Sequence, residues 1–156
     1  MNKPIEIQYP RTLLLENTVR VRAEIDDPAH IHEAATSLNR FIRAQGAVPR
    51  GPLVQVVQVD HENGRNPPST ELMRQASAPI DGDGDRFRFS PAVEVSGCVL
   101  ATFRGDAAHM QVAYGKLAVF SYENGVPLAG TYYIVLVEQE GTALSADIFA
   151  VTGEEL

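Results

Sequence analysis

Few residues of this chain have the types and spacing that chemistry demands. His30-x-His32 is a poor metal pair, because residues two apart point to different sides of a helix and no Cys or acid stands at a ligand spacing. Asp81-x-Asp83-x-Asp85 begins like a calcium loop, but Arg86 stands where the turn needs Gly and Ala92 where the loop needs its closing Glu. Cys98 is the one cysteine; it rules out an intrachain disulfide, and its apolar setting from Val95 to Leu100 suits packing better than nucleophilic attack. Neither a phosphate loop, a serine nucleophile elbow nor a zinc-protease pair occurs. No catalytic residue, metal or cofactor is therefore expected. Aromatic and branched side chains remain as the candidates for any site.

Charge narrows the partners. Thirteen basic against 20 acidic residues leave a net charge of −7, so an extensive direct nucleic-acid surface is not expected. Apolar residues make up 44% of the 156, enough for a proper core. No run approaches the ~18 apolar residues of a membrane span, and the start shows no signal-peptide core, so a cytoplasmic setting without membrane contact is expected.

The elements that must position such a site come in two similar halves. Residues 27–59 align with 106–138 at a gapless offset of 79, pairing Asp27 with Asp106, Ala29 with Ala108 and His30 with His109. The same offset pairs Ala34 with Ala113, Leu38 with Leu117, Phe41 with Phe120, Gly46 with Gly125, Gly51 with Gly130 and Val56 with Val135. Chance would give roughly two such identities at ordinary composition. Asp27 and Asp106 suit N-caps, Pro28 the first helical position, and Gly46 and Gly125 the left-handed residue past a helix end. Helices are expected over about 28–45 and 107–124. Their buried faces are Ile31, Ala34, Ala35, Leu38, Phe41 and Ile42 in the first, and Met110, Ala113, Tyr114, Leu117, Phe120 and Ser121 in the second.

Gly51 and Gly130 punctuate the entry to strands at Val54–Val59 and Tyr132–Val137, and further strands are expected near 73–80 and 145–152. Before each helix, Val19, Val21, Ala23 and Ile25 alternate with charged residues, and Val99–Arg104 is the counterpart. Asp81–Asp85 reads as a mobile turn. The expectation is one α+β domain over 1–156, a pseudo-twofold duplication of a β-α-β-β unit. Its halves run over about 4–80 and 87–153, joined by a linker at 81–86. Both main helices are expected on one side of a curved antiparallel sheet.

This order of elements resembles the GyrI-like (gyrase-inhibitor-like) effector-binding domain found in multidrug-responsive transcription activators. The residues that carry the likeness are the helix ending in Asn124-Gly125, then Gly130, the strand Tyr133–Leu136, an acidic turn and Asp147-Ile148. The resemblance implies a ligand-binding cleft along the pseudo-twofold axis, used by the family for small, often lipophilic and cationic molecules. Two departures stand out. Many members carry Glu-x-Tyr-Leu in the second-half strand, and that Glu neutralises a bound cation. Aligned on Leu136, the Glu position holds Tyr133 and the Tyr position Val135. The family's first-half Arg-x-Asp reads Arg74-Gln75-Ala76. A buried cation without a carboxylate is costly, so a neutral or amphiphilic ligand is expected.

Strand parity puts Tyr133 and Val135 on one face, and the repeat makes Val54 and Val56 their counterparts. With Phe41, Phe120, Tyr114, Phe103 and Glu138 they form the expected ligand-binding set. The two Phe suit a helix–core layer as well as a cleft, and Glu138 suits a solvated strand end as well as a cleft mouth. Ala108, Val112, Gly115 and Val119 form a second stripe on the later helix, either tolerated apolar surface or the contact of a homodimer or protein partner. With no spare segment for a helix-turn-helix, the leading expectation is a stand-alone small-molecule-binding protein. The alternatives are a protein-interaction role of the gyrase-inhibitor type and a small-molecule hydrolase.

Overall fold

The structure, a computed structural model, describes residues 4–24, 28–58 and 69–153. In chain order the elements are strand β1 (Glu6–Glu24), helix α1 (Pro28–Ala44), strands β2 (Pro49–Gln58), β3 (Ser69–Ala76) and β4 (Arg88–Asp106), helix α2 (Gln111–Asn124), and strands β5 (Leu128–Glu140) and β6 (Ala143–Thr152). The described chain forms two compact units, one of Leu14–Glu94 and one of Met1–Leu13 with Val95–Leu156. Their limits fall inside the long strands β1 and β4. Each unit is α+β and repeats the order β-α-β-β.

In the unit of residues 14–94, β3 is the central strand, antiparallel to β1 on one side and to β2 on the other. Val19, Val21 and Ala23 on β1, with Leu72 and Ala76 on β3, turn one face toward α1. The helix answers with Ala34, Leu38 and Ile42, while Ile31, Ala35 and Phe41 pack at the margin. All six positions of the expected helix face are thus engaged, because apolar residues at this spacing fall on one stripe of a 3.6-residue helix. Past the helix end, Gly46 takes the expected left-handed conformation with φ 84°. The expected N-cap Asp27, the strand residue Ile25 and Val59 lie outside the described residues.

In the unit containing residues 95–156, β6 is central, flanked by β4 and β5, all antiparallel. Ala113 and Leu117 of α2 are fully buried, and Tyr114 meets Tyr132 of β5 edge-on at 5.2 Å. The helix holds Gly115, Val112 and Val119, poor helix formers, so it depends on that packing more than on propensity. It ends at Gly125, with φ 64°, as expected.

Three boundaries differ from expectation for local reasons. The second helix does not run unbroken from 107. Residues Ala107–His109 form a 3-10 turn, in which Asp106 accepts the Ala108 N–H at 2.8 Å and the Met110 N–H reaches the Ala107 carbonyl at 3.2 Å. The third strand of the first half lies at 69–76 rather than 73–80. The Ser77 N–H donates to the Val48 carbonyl at 2.8 Å and the Ser77 hydroxyl accepts from the Val48 N–H, which draws the chain out of the ladder after Ala76. Gly51 and Gly130 lie within β2 and β5 rather than before them. Each has positive φ, 69° and 90°, and each sits at a register shift where its strand holds two more residues than the partner, an irregularity that glycine permits.

The turn at 81–86 is closed by Asp83, whose carboxylate accepts the N–H groups of Asp85 and Phe87, both at 2.8 Å. Those bonds hold its carboxyl below the ordinary aspartate range. Gly82 is required there, since a Cβ would fall 2.7 Å from the Phe87 carbonyl oxygen.

Leu38→Ala should cost about 2–5 kcal/mol in urea unfolding, because Leu38 is fully buried and its loss leaves a cavity. Val119→Ala, at an exposed position, should change stability by no more than about 0.5 kcal/mol.

Candidate functional site

Each strand layer has one face toward its helix and one away from it. In the unit of residues 95–156 the contact of Tyr114 with Tyr132 identifies the helix side, which by alternation also holds Ile134 and, across the ladder, Ile148, Ala101 and Phe103. The other face, turned away from α2, carries Tyr133 opposite Phe149 and Val135 opposite Asp147. On β4 the same face holds Leu100, Thr102 and Arg104. Tyr133 is half-buried, and Val135, Phe149 and Leu100 are buried.

Glu138 joins this face through a bulge. Strict alternation from Val135 would send residue 138 to the helix side. The register shifts between Leu136, opposite Ala146, and Glu138, opposite Ser145, which returns Glu138 to the side of Tyr133 and Val135. There it lines a groove of about 300 Å3 with Arg104, Glu140 and Ser145.

A carboxylate does stand beside Val135, one strand over. Asp147 is half-buried and lies 3.4 Å from the Arg104 guanidinium. Arg104 also donates to its own strand, to the Phe103 carbonyl at 2.8 Å. The charge of Asp147 is therefore answered from within the unit. The unit of residues 14–94 has a related arrangement. Its helix-free face carries Val54 opposite Met73 and Val56 opposite Glu71, and Glu71 lies 3.7 Å from Arg20. In both units a valine, Val56 or Val135, faces a carboxylate that an arginine of an earlier strand pairs with.

The expected site residues divide between these layers. Tyr133, Val135 and Glu138 share the helix-free face of one unit, and Val54 and Val56 share that of the other. Phe103 and Tyr114 lie in the layer between α2 and its strands. Phe120 meets Tyr9 with ring centroids 5.8 Å apart. Phe41 stacks on Phe87 at 4.3 Å, nearly parallel, at the edge of the α1 core. The stripe Ala108, Val112, Gly115 and Val119 is exposed throughout. Sequence reasoning missed Asp147, Arg104, Glu71 and Arg20 as neighbours of the valines. The signal was the ladder register, which periodicity in one strand does not contain. Cys98 is buried, as its apolar surroundings suggested, and desolvation pushes its thiol pKa up.

No family model and no curated protein sequence matches the chain. Solved structures do match in fold. The EcmrR C-terminal domain aligns with a TM-score of 0.67 at 15% identity, covering 94% of this chain and 99% of that one. EcmrR in its DNA complex aligns at 0.68 and 13% identity over 97% of this chain, which spans 58% of that longer chain. A hydrolase from Listeria innocua aligns at 0.63 and 12% identity, covering 96% of this chain and 91% of that one.

Burial raises the phenol pKa of both tyrosines in the α2 layer, that of Tyr114 to about 12. A phenol that ionises less readily in the fold stabilises it below pH about 10, and that contribution should be lost as pH rises from about 10 to about 12. Absorbance titration of the phenolates should show a late component that Tyr114→Phe removes. No described helix is long and apolar enough to cross a membrane. The chain has the α+β fold that its resemblance to GyrI-like effector-binding domains implied, shared with the C-terminal domain of EcmrR.

Proposed function

We propose that the chain is a small-molecule-binding domain, not an enzyme, and that its ligand lies against the helix-free strand face carrying Tyr133 and Val135. The observation that carries this reading is the chemistry of that face. Apolar and aromatic side chains run along it, and its polar end is an ion pair already balanced, with Glu138 beyond. Small-molecule sites have this character, mostly apolar with a few placed polar groups. The fold shared with the EcmrR C-terminal domain supports the same class of function. Tyr133 offers both a ring face and a hydroxyl, the combination that makes an aromatic anchor.

The preferred ligand is neutral or amphiphilic. Position 133 holds no carboxylate, and the nearest acid on the face, Asp147, is held by Arg104 at 3.4 Å. A cation beside Tyr133 must compete with Arg104 for Asp147 or reach to Glu138 at the far end of the face, and the first of these offsets its apolar burial.

Thermal-shift screening of uncharged aromatic amphiphiles should find binders, and a screen without any stabilising compound would sink the proposal. Tyr133→Ala should then weaken a hit by roughly 1–3 kcal/mol, as loss of an aromatic anchor does.

Calorimetry with a matched neutral and cationic pair tests the charge preference. The neutral member should bind more tightly, and Arg104→Gln, which releases Asp147, should shift preference toward the cation. A cation bound at least tenfold tighter by the unaltered protein would refute the electrostatic argument.

A further inference from the structure

A groove of about 370 Å3 in the unit of residues 14–94 has the opposite chemistry. Four of the chain's eleven arginines line it, Arg20, Arg22, Arg86 and Arg88, together with the carboxylates of Glu71 and Asp85. Four positive and two negative side chains line the groove, Arg22 being engaged in an interaction of its own, in a chain whose net charge is −7.

The fold sets this concentration of charge. Alternation along β1 buries Val19, Val21 and Ala23 against α1 and so turns Arg20 and Arg22 together to the other face. Arg86 and Arg88 flank Phe87, whose ring is fixed by its stack on Phe41. The Arg86 guanidinium rests 5.2 Å from the centroid of the Phe87 ring, and Asp83 closes the turn that carries it. Glu71 reaches Arg20 at 3.7 Å, a loose ion pair, and the Arg20 Nε is buried without a hydrogen-bond partner among the described residues. Arg88 has no ion-pair partner among the described residues.

We propose that this groove binds a small phosphate-bearing anion that also carries hydroxyl or amino donors. Guanidinium forks match phosphate oxygens in pairs, and arginines on two rigid segments can grip one phosphate from two directions. The volume suits a small metabolite. Glu71 and Asp85 accept hydrogen bonds from donors elsewhere on the ligand. The overall negative charge repels an extended polyanion, which favours a compact ligand over nucleic acid.

Calorimetry on the full chain at low salt tests the site with inorganic pyrophosphate, inorganic phosphate and a short DNA duplex. Pyrophosphate should bind saturably and more tightly than phosphate. An Arg86→Gln/Arg88→Gln double variant should lose about tenfold or more in affinity, the loss expected when charge-assisted bonds to phosphate are removed. Both positions are exposed, so its melting temperature should not change, and Arg88→Gln alone should give a smaller loss in the same direction. Glu71→Gln should bind pyrophosphate at least as tightly as the unaltered chain. Absence of saturable pyrophosphate binding, equal binding by the double variant, or tighter binding of the DNA would each overturn the proposal.

Discussion

A β-strand has two faces, and each helix of this chain claims one of them. That constraint organises both units. Leu38 and Ile42 on α1, and Leu117 on α2, are buried completely, and each such side chain contributes roughly 1.5–3 kcal/mol. A one-residue slip of register would carry Val19, Val21 and Leu72 to the wrong side, so pairing is strongly specified. The face turned away from each helix is packed as well, with Val54, Met73, Leu100 and Val135 buried, but it also holds polar groups. Tyr133, Asp147, Arg20 and Glu71 all lie there.

The bulges modify this division at chosen points. Gly51 and Gly130 each supply the positive φ that lets β2 and β5 take up two extra residues before Val54 and Tyr132. The shift after Leu136 then reverses parity and delivers Glu138 to the face of Tyr133. A carboxylate thus follows an apolar row without interrupting it, a transition that unbroken alternation would not produce.

Electrostatics differ between the faces in a way that residue types alone conceal. Beside Val135 an arginine and a carboxylate are in balance, and Glu138 stands beyond them. Along β1 and the turn before β4, arginines outnumber the acids and the excess points into a groove. The same two residue types therefore discourage a charged ligand in one place and attract an anion in another. The difference lies in the ratio of the charges.

The helices, their buried stripes, the left-handed glycines at 46 and 125 and the β-α-β-β order were legible from the sequence, because spacing and φ preference are local properties. The pairing of Tyr133 with Val135 was legible for the same reason, since residues two apart in one strand share a face. The resemblance to GyrI-like domains set Tyr133 where their strand pattern has a Glu. It did not show that Asp147 lies across from Val135 or that Arg104 holds it, because these residues are brought together by ladder register between strands. Phe103 looked like a partner of Tyr133, yet the ladder puts it with Ala146 on the helix side. Tertiary structure alone decided the grouping of Arg20 and Arg22 with Arg86 and Arg88. More than sixty residues separate the two pairs, and no periodicity in either segment encodes the other's position.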